Sequence, residues 1–201
     1  MCSNKACPAE QLLYNEHMVF FTRKGDGGTT GLFGCNQRIS KSSAISEALG
    51  SLDECNSFLG LCKMVSRRDS FSVGQRAVAD VVHDIQNHLF TIQAEVAGAP
   101  KSIPDSSVKV LEEMTNTIEA ELPPIKTFLI SGATELSAWF DFARTIARRA
   151  ERRVVLVHEE GKRPVSEHTR AYLNRLSSLL YALARLANHR AGISETPPEY
   201  K

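Results

Sequence analysis

Between residues 43 and 191 the chain sets apolar side chains at steps of three and four, in runs broken by glycine and proline. That repeat matches the 3.6-residue turn of an α-helix. Ile45, Leu49, Leu52, Phe58, Leu59 and Cys62 mark a first helix over about 43–66. Val78, Val81, Val82, Ile85, Leu89, Ile92 and Val96 mark a second over about 74–97. Pro100 and Pro104 break the chain, and Asp105 or Ser106 caps a third helix through Leu111, Met114 and Ile118, which ends before Pro123-Pro124. Thr134 opens a fourth to about Glu160, with Glu135 in its first turn, and a fifth runs over about 165–191 to Gly192. Five helices with short connections predict an all-α, antiparallel five-helix bundle. The expected domain is 18–192, with a loose tail at 1–17 and a C-terminal tail at 193–201.

Ahead of the helices stands Thr22-Arg23-Lys24-Gly25-Asp26-Gly27-Gly28-Thr29-Thr30-Gly31. So much glycine loses too much backbone entropy to hold a helix. The string is expected as a loop, flanked by short extended pieces at Val19–Thr22 and Leu32–Phe33. Glycines let backbone N–H groups converge on an anion, and Asp26 offers an oxygen to Mg²⁺ through water. It is not a Walker A loop, since no Gly-Lys-Ser/Thr ends it. The plainer alternative is a hairpin turn at Asp26-Gly27.

In the fourth helix, Arg144, Arg148 and Arg152 stand four apart and stack on one face, bordered by Glu151. Guanidinium forks suit triphosphate oxygens, and equally a buried carboxylate or plain solvent. Ile146, Ala147, Ala150, Val154 and Val155 give too little apolar width to leave every arginine outside, so the stems are expected to pack. In the first helix Asp53, Asn56 and Ser57 share a polar face, either an ordinary flank or a partner for one of those arginines.

Bulk properties narrow the classes. With 201 residues, 42% hydrophobic, and a net charge of +1, the chain has material for a full core and no global field for nucleic acid or an anionic membrane. The five cysteines form no C-x-x-C pair, so reduced thiols in the cytoplasm are expected. No apolar run reaches the ~20 residues of a membrane span, and the N-terminus lacks a signal peptide's apolar stretch. A metalloprotease motif, a ferritin-type Glu–His pair and a serine nucleophile elbow are all missing, and no residue is marked as a certain metal ligand.

Taken in order, these clusters resemble the PduO-type ATP:cob(I)alamin adenosyltransferases over about residues 20–190. The matching strings are Thr22-Arg23-x-Gly25-Asp26-x-Gly28-x-Thr30, Gly50-x-x-Asp53-Glu54-x-Asn56-Ser57, Phe128-Leu129-Ile130 followed by Gly132, Ala143-Arg144-Thr145-x-x-Arg148-Arg149-Ala150-Glu151-Arg152, and Asn174-Arg175-Leu176-Ser177. The resemblance implies a homotrimer with active sites between subunits, and transfer of the 5′-deoxyadenosyl group of ATP to cob(I)alamin. It implies ATP, with Mg²⁺ carried on its phosphates, at Thr22, Arg23, Gly25, Asp26, Gly28, Thr30, Lys41, Arg148, Glu151, Arg152 and Asn174. It implies corrinoid contacts at Phe128, Asp53, Asn56, Arg144 and Ser178, with catalytic parts for Arg144, Arg148, Asp53 and Phe128. Arg144 is expected to pair with Asp53 at the subunit junction, and Phe128 to press on the corrinoid's lower face and exclude its axial base. A corrinoid reductase and an adenosylcobalamin-dependent enzyme are the expected partners.

The chain departs from the family pattern at five places. Arg23 and Gly27 replace lysines, Ala133 ends a segment without the usual Pro-Gly-Gly, Asp141 replaces a histidine, and Ser178 replaces an aspartate. These departures keep a second expectation alive: a nucleotide and corrinoid binder acting as carrier or sensor without efficient turnover.

Overall fold

The structure, a computed structural model, describes residues 21–32 and 35–200, with backbone alone for 35–37. The expected tail at 1–17, and Val19, Phe20 and Phe33 of the expected extended pieces, lie outside the described residues.

The glycine string is not all loop. Its last residues form strand β1 (Thr29–Leu32), paired antiparallel with β2 (Cys35–Ser40), so that Thr30 faces Ile39 and Gly31 faces Arg38. Glycine's entropic cost bars a helix, but a short ladder tolerates it once side chains close the edge. Here Arg38 does so: Nη2 donates to the carbonyls of Lys24 and Thr29, both at 2.7 Å, and Nε donates to Thr29 Oγ1 at 2.8 Å. Residues 21–22 belong to no strand.

Helix α1 (Ala44–Arg68) starts at Ser43, whose hydroxyl accepts from the Ser46 amide. A second small hairpin, β3 (Ser72–Val73) with β4 (Arg76–Ala77), turns at Gly74, where φ is 56°. That hairpin delays α2 (Val78–Ala97) to four residues past the start that periodicity suggests. Gly98 ends α2 with a left-handed φ of 104°. Helix α3 (Asp105–Glu121) begins directly after Pro104, α4 (Glu135–Glu159) after a capping box of Thr134 and Ser137, and α5 (Glu167–Arg190) after Ser166.

Among the described residues five α-helices form the expected bundle. α1 packs on α2 and α4, α4 on α5, and α5 on α3. Arg68 at the end of α1 pairs with Glu135 at the start of α4, and Arg149 pairs with Glu54 further back, so the two helices run antiparallel. Leu52, Leu59, Ile85, Leu89, Phe140, Tyr172, Leu176 and Leu180 are fully enclosed between them. Among the described residues no helix is long and apolar enough to cross a membrane.

Candidate active site

The groove between α4 and α5 is covered at one side by residues 122–133, a segment without helix or strand. A cleft of about 810 Å³ lies there, lined by Ile125, Phe128, Arg144, Arg148, Ser178 and Tyr181 among others. Phe128, Arg144, Arg148 and Ser178, expected in the site from sequence, are thus brought together. Phe128 is 79% exposed, an unusual cost for an aromatic ring unless something covers it.

The helix positions explain the lining. Ala143, Ile146, Ala147 and Ala150 are buried and fix the orientation of α4, which turns Arg144 and Arg148 toward α5. Arg144 is half-buried, as expected for a packed stem. Its guanidinium lies 5.7 Å from the centre of the Tyr181 ring, and Nε stands 3.8 Å from Asp141 Oδ1. That separation is an ion pair but too long for a hydrogen bond, and Nε has no hydrogen-bond partner among the described residues. Burial pushes the Asp141 carboxyl above the usual range, opposed first by Arg144 and then by Gly132 and Ser131. Within one chain, therefore, the carboxylate facing Arg144 is Asp141.

Further along the same groove, Asn174 Nδ2 donates to Glu151 Oε1 at 2.9 Å, joining two residues expected at the nucleotide. Arg148 and Arg152 are exposed and have no ion-pair partner among the described residues. They carry free positive charge on a rigid helix.

The α1 residues divide. Asp53 is exposed, whereas Asn56 is 5% exposed and turned to α2: its Nδ2 donates to the Gln86 carbonyl at 3.3 Å, and its own carbonyl accepts from Gln86 Nε2 at 3.0 Å. The shared polar face expected for Asp53 and Asn56 does not form. Asn56 is instead drawn into the α1–α2 seam, where Gln86 takes one of its two amide hydrogens.

The glycine hairpin stands apart. Ser43, where the hairpin meets α1, lies eleven residues before Glu54, the partner of Arg149, or roughly 16 Å along the axis. None of residues 22–41 lines the cleft. Inside the hairpin the amides of Asp26 and Gly28 donate to the carbonyls of Arg23 and Gly25 at 3.3 and 3.1 Å. Lys41 lies over the turn: a Cβ on Gly25 would come within 3.1 Å of its Nζ, so the lysine head would have to shift to admit one. Gly28 holds φ at 76°, a conformation that favours glycine. Thr22, Arg23, Asp26, Thr30 and Lys41 are therefore gathered as a cationic turn. Gly27 has open space where a side chain would stand.

Sequence reading missed Tyr181 and Arg38. Tyr181 sits three residues after Ser178 on one face of α5, so helical spacing alone points to it. Arg38 becomes visible only with the strand register. Cys55 and Cys62 are sealed in the core, and burial pushes both thiols up to about 12, which removes them as nucleophiles. Among the described residues no three His, Cys, Asp or Glu side chains gather as a metal would need.

Comparison with known proteins meets this geometry. The chain is 38% identical over 181 residues to the corrinoid adenosyltransferase PduO of Citrobacter freundii, covering 87% of this chain and 51% of that protein. It thus spans about half the length of that relative. It is 35% identical over 189 residues to the corrinoid adenosyltransferase of Bacillus subtilis, covering 90% and 93% of the two chains. Its fold matches a variant of a PduO-type ATP:corrinoid adenosyltransferase from Lactobacillus reuteri, solved with cobalamin and ATP, at a TM-score of 0.79 and 27% identity over 90% of this chain and 100% of that one. The cobalamin adenosyltransferase family profile matches residues 20–187, and this chain belongs to that family.

Proposed function

We propose that the protein transfers the 5′-deoxyadenosyl group of ATP to the cobalt of reduced cob(I)alamin. The observation that carries this reading is the cleft of about 810 Å³, which sets Phe128 beside two arginines on a rigid helix. In the reaction a cobalt–carbon bond forms from the metal's electron pair, the 5′ carbon–oxygen bond breaks, and its electrons leave on triphosphate. The protein need supply no nucleophile; it aligns the partners and stabilises the departing charge. Arg148 and Arg152, Arg23, Lys41 and the hairpin amides not bonded within the turn serve the triphosphate, and Glu151 with Asn174 holds the nucleoside end. Asp26 and Thr30 are the hairpin oxygens that a Mg²⁺ on the phosphates would meet. Phe128 presses on the corrinoid and favours its base-free form, with Arg144 and Ser178 at the rim.

The active form is a homotrimer with sites between subunits. Two features support it. Within one chain none of residues 22–41 lines the cleft, which supports completion of the site by a neighbour's hairpin. Phe58, Trp139 and Phe142 also form an aromatic ridge on α1 and α4, continued by Leu61 and Met64, with Phe142 56% and Met64 62% exposed. Exposed Asp53 can then reach a neighbour's Arg144. Location in the cytoplasm, a corrinoid reductase upstream and an adenosylcobalamin-dependent enzyme downstream fit this chemistry.

A carrier or sensor without efficient turnover is the second reading. It is favoured by Asp141, which engages Arg144 inside the chain and competes with Asp53. One assay separates the two: chemically reduced cobalamin with Mg·ATP, followed spectrally for cobalt–carbon bond formation. Binding of both without turnover supports the sensor. Mixing Lys41→Ala subunits with Arg148→Ala subunits tests the junction, since active mixtures from two inactive parents require shared sites.

A further inference from the structure

The segment that carries Phe128 is poorly packed. Hollows of about 530 and 610 Å³ lie behind it, the first walled by residues 122–127, Leu129, residues 192–195 and Pro197, the second by residues 122–125 with Tyr181 and Arg185. Two hydrogen bonds tie its ends. Arg185 Nη2 donates to the Pro123 carbonyl at 3.1 Å, and the Ile130 amide donates to the Thr196 carbonyl at 2.8 Å. One carboxylate bears on both: Glu195 holds Arg185 of the first tie directly, and it stands next to Thr196 of the second. Glu195 Oε2 accepts from Arg185 Nε at 2.9 Å, and Oε1 accepts from Asn188 Nδ2 at 3.4 Å. Asn188 Oδ1 in turn accepts from Thr134 Oγ1, the cap of α4, at 3.2 Å. Arg185 is 6% and Asn188 4% exposed, so this is a buried knot rather than a surface ion pair. Removing the carboxylate leaves a guanidinium in the interior with a single carbonyl partner, and takes away the side-chain anchor of the strap whose Thr196 carbonyl holds Ile130.

We propose that Glu195 is a positioning residue for the adenosyl transfer, fixing both ends of residues 123–130 through Arg185 and the 193–197 strap and so setting the height of Phe128 over the cleft. The inference rests on the reading of Phe128 given above. It assigns work to residues that sequence alone places in a tail.

The test uses the full chain, Glu195→Gln, Glu195→Asp, and a chain ending at Gly192. For each, kcat/KM for reduced cobalamin, KM for Mg·ATP and the fraction of four-coordinate cob(II)alamin in the absorption spectrum are measured. Glu195→Gln and the shortened chain should lose roughly tenfold or more in kcat/KM for the corrinoid, as expected for a displaced contact group. The four-coordinate fraction should fall with it, KM for Mg·ATP should stay within about twofold, and Glu195→Asp should recover part of the loss. In a Phe128→Ala background Glu195→Gln should add nothing further. Wild-type corrinoid kinetics in both altered chains, with Phe128→Ala slow, overturn the strap alone. Loss of ATP and corrinoid parameters together also overturns it, because that marks general unfolding. Normal turnover in Phe128→Ala overturns the reading of Phe128 and the strap with it.

Discussion

The hairpin at 22–41 and the arginine face of α4 hold positive charge in opposite ways. The hairpin is stitched to itself: Arg38 and Lys41 lie on its own backbone. The arginines of α4 stand on a helix whose other side is core, with Ala147 and Ala150 fully enclosed. One region can be loosened without disturbing the bundle; the other cannot move without moving α4. A site assembled from both joins an adaptable clasp to a rigid wall. In the intersubunit site proposed above, tight contact with triphosphate would then form without unfolding either protomer.

The largest expected effect strikes the rigid wall. Arg148→Ala should lower turnover by roughly 10²–10³-fold at saturating Mg·ATP, the usual loss for one donor to a developing anion. A wild-type rate there would break the contrast outright. Phe128→Ala should come next, with adenosylation slowed by about tenfold to 10²-fold while Mg·ATP binds as before, read from steady-state rates with pre-reduced corrinoid and from calorimetric titration. Arg38→Ala sharpens the comparison from the other side. It should raise KM for Mg·ATP roughly tenfold by freeing the turn, yet move Tm by less than about 2 °C because nothing in the core is lost. A large fall in Tm would show that the hairpin is part of the bundle after all.

The smallest effect lies away from the site. His88 is held between the Tyr172 hydroxyl at 2.9 Å and Ser107 Oγ at 3.2 Å, and burial lowers its pKa below the ordinary 6.5, with Asp84 opposing. The unfolded chain therefore binds this proton more readily than the folded one. Stability is whole above that ordinary value and is lost as pH falls below it. Thermal unfolding between about pH 8 and about pH 5.5 should show a decline in the wild type that His88→Gln makes shallower. Equal slopes would remove His88 from the account.

Much of this was legible in one dimension, and for a local reason. Helical spacing placed α1, α4 and α5 within a few residues, because amphipathic periodicity and caps such as Ser43, Thr134 and Ser166 are short-range signals. The start of α2 was misjudged because the β3–β4 hairpin depends on pairing across Gly74, which leaves no repeat to read. The stacking of Arg144, Arg148 and Arg152, with Glu151 beside them, followed from spacing alone. That Asn174 meets Glu151 required α4 and α5 to be docked.

What the sequence by itself determined is the set of helices, their inward faces and the chemistry each outward face carries, since these depend on neighbours within a turn or two. The Asp141–Arg144 pair follows from three-residue spacing on one helix, whereas tertiary packing alone decided that Asn56 bonds Gln86, that Arg144 meets Tyr181, that Arg38 closes the glycine turn, and that Glu195 returns to clasp Arg185. Each of those pairings joins separate strands or different sides of the bundle, or depends on rotations about the helix axes that only side-chain packing fixes. No periodicity along the chain encodes such a rotation.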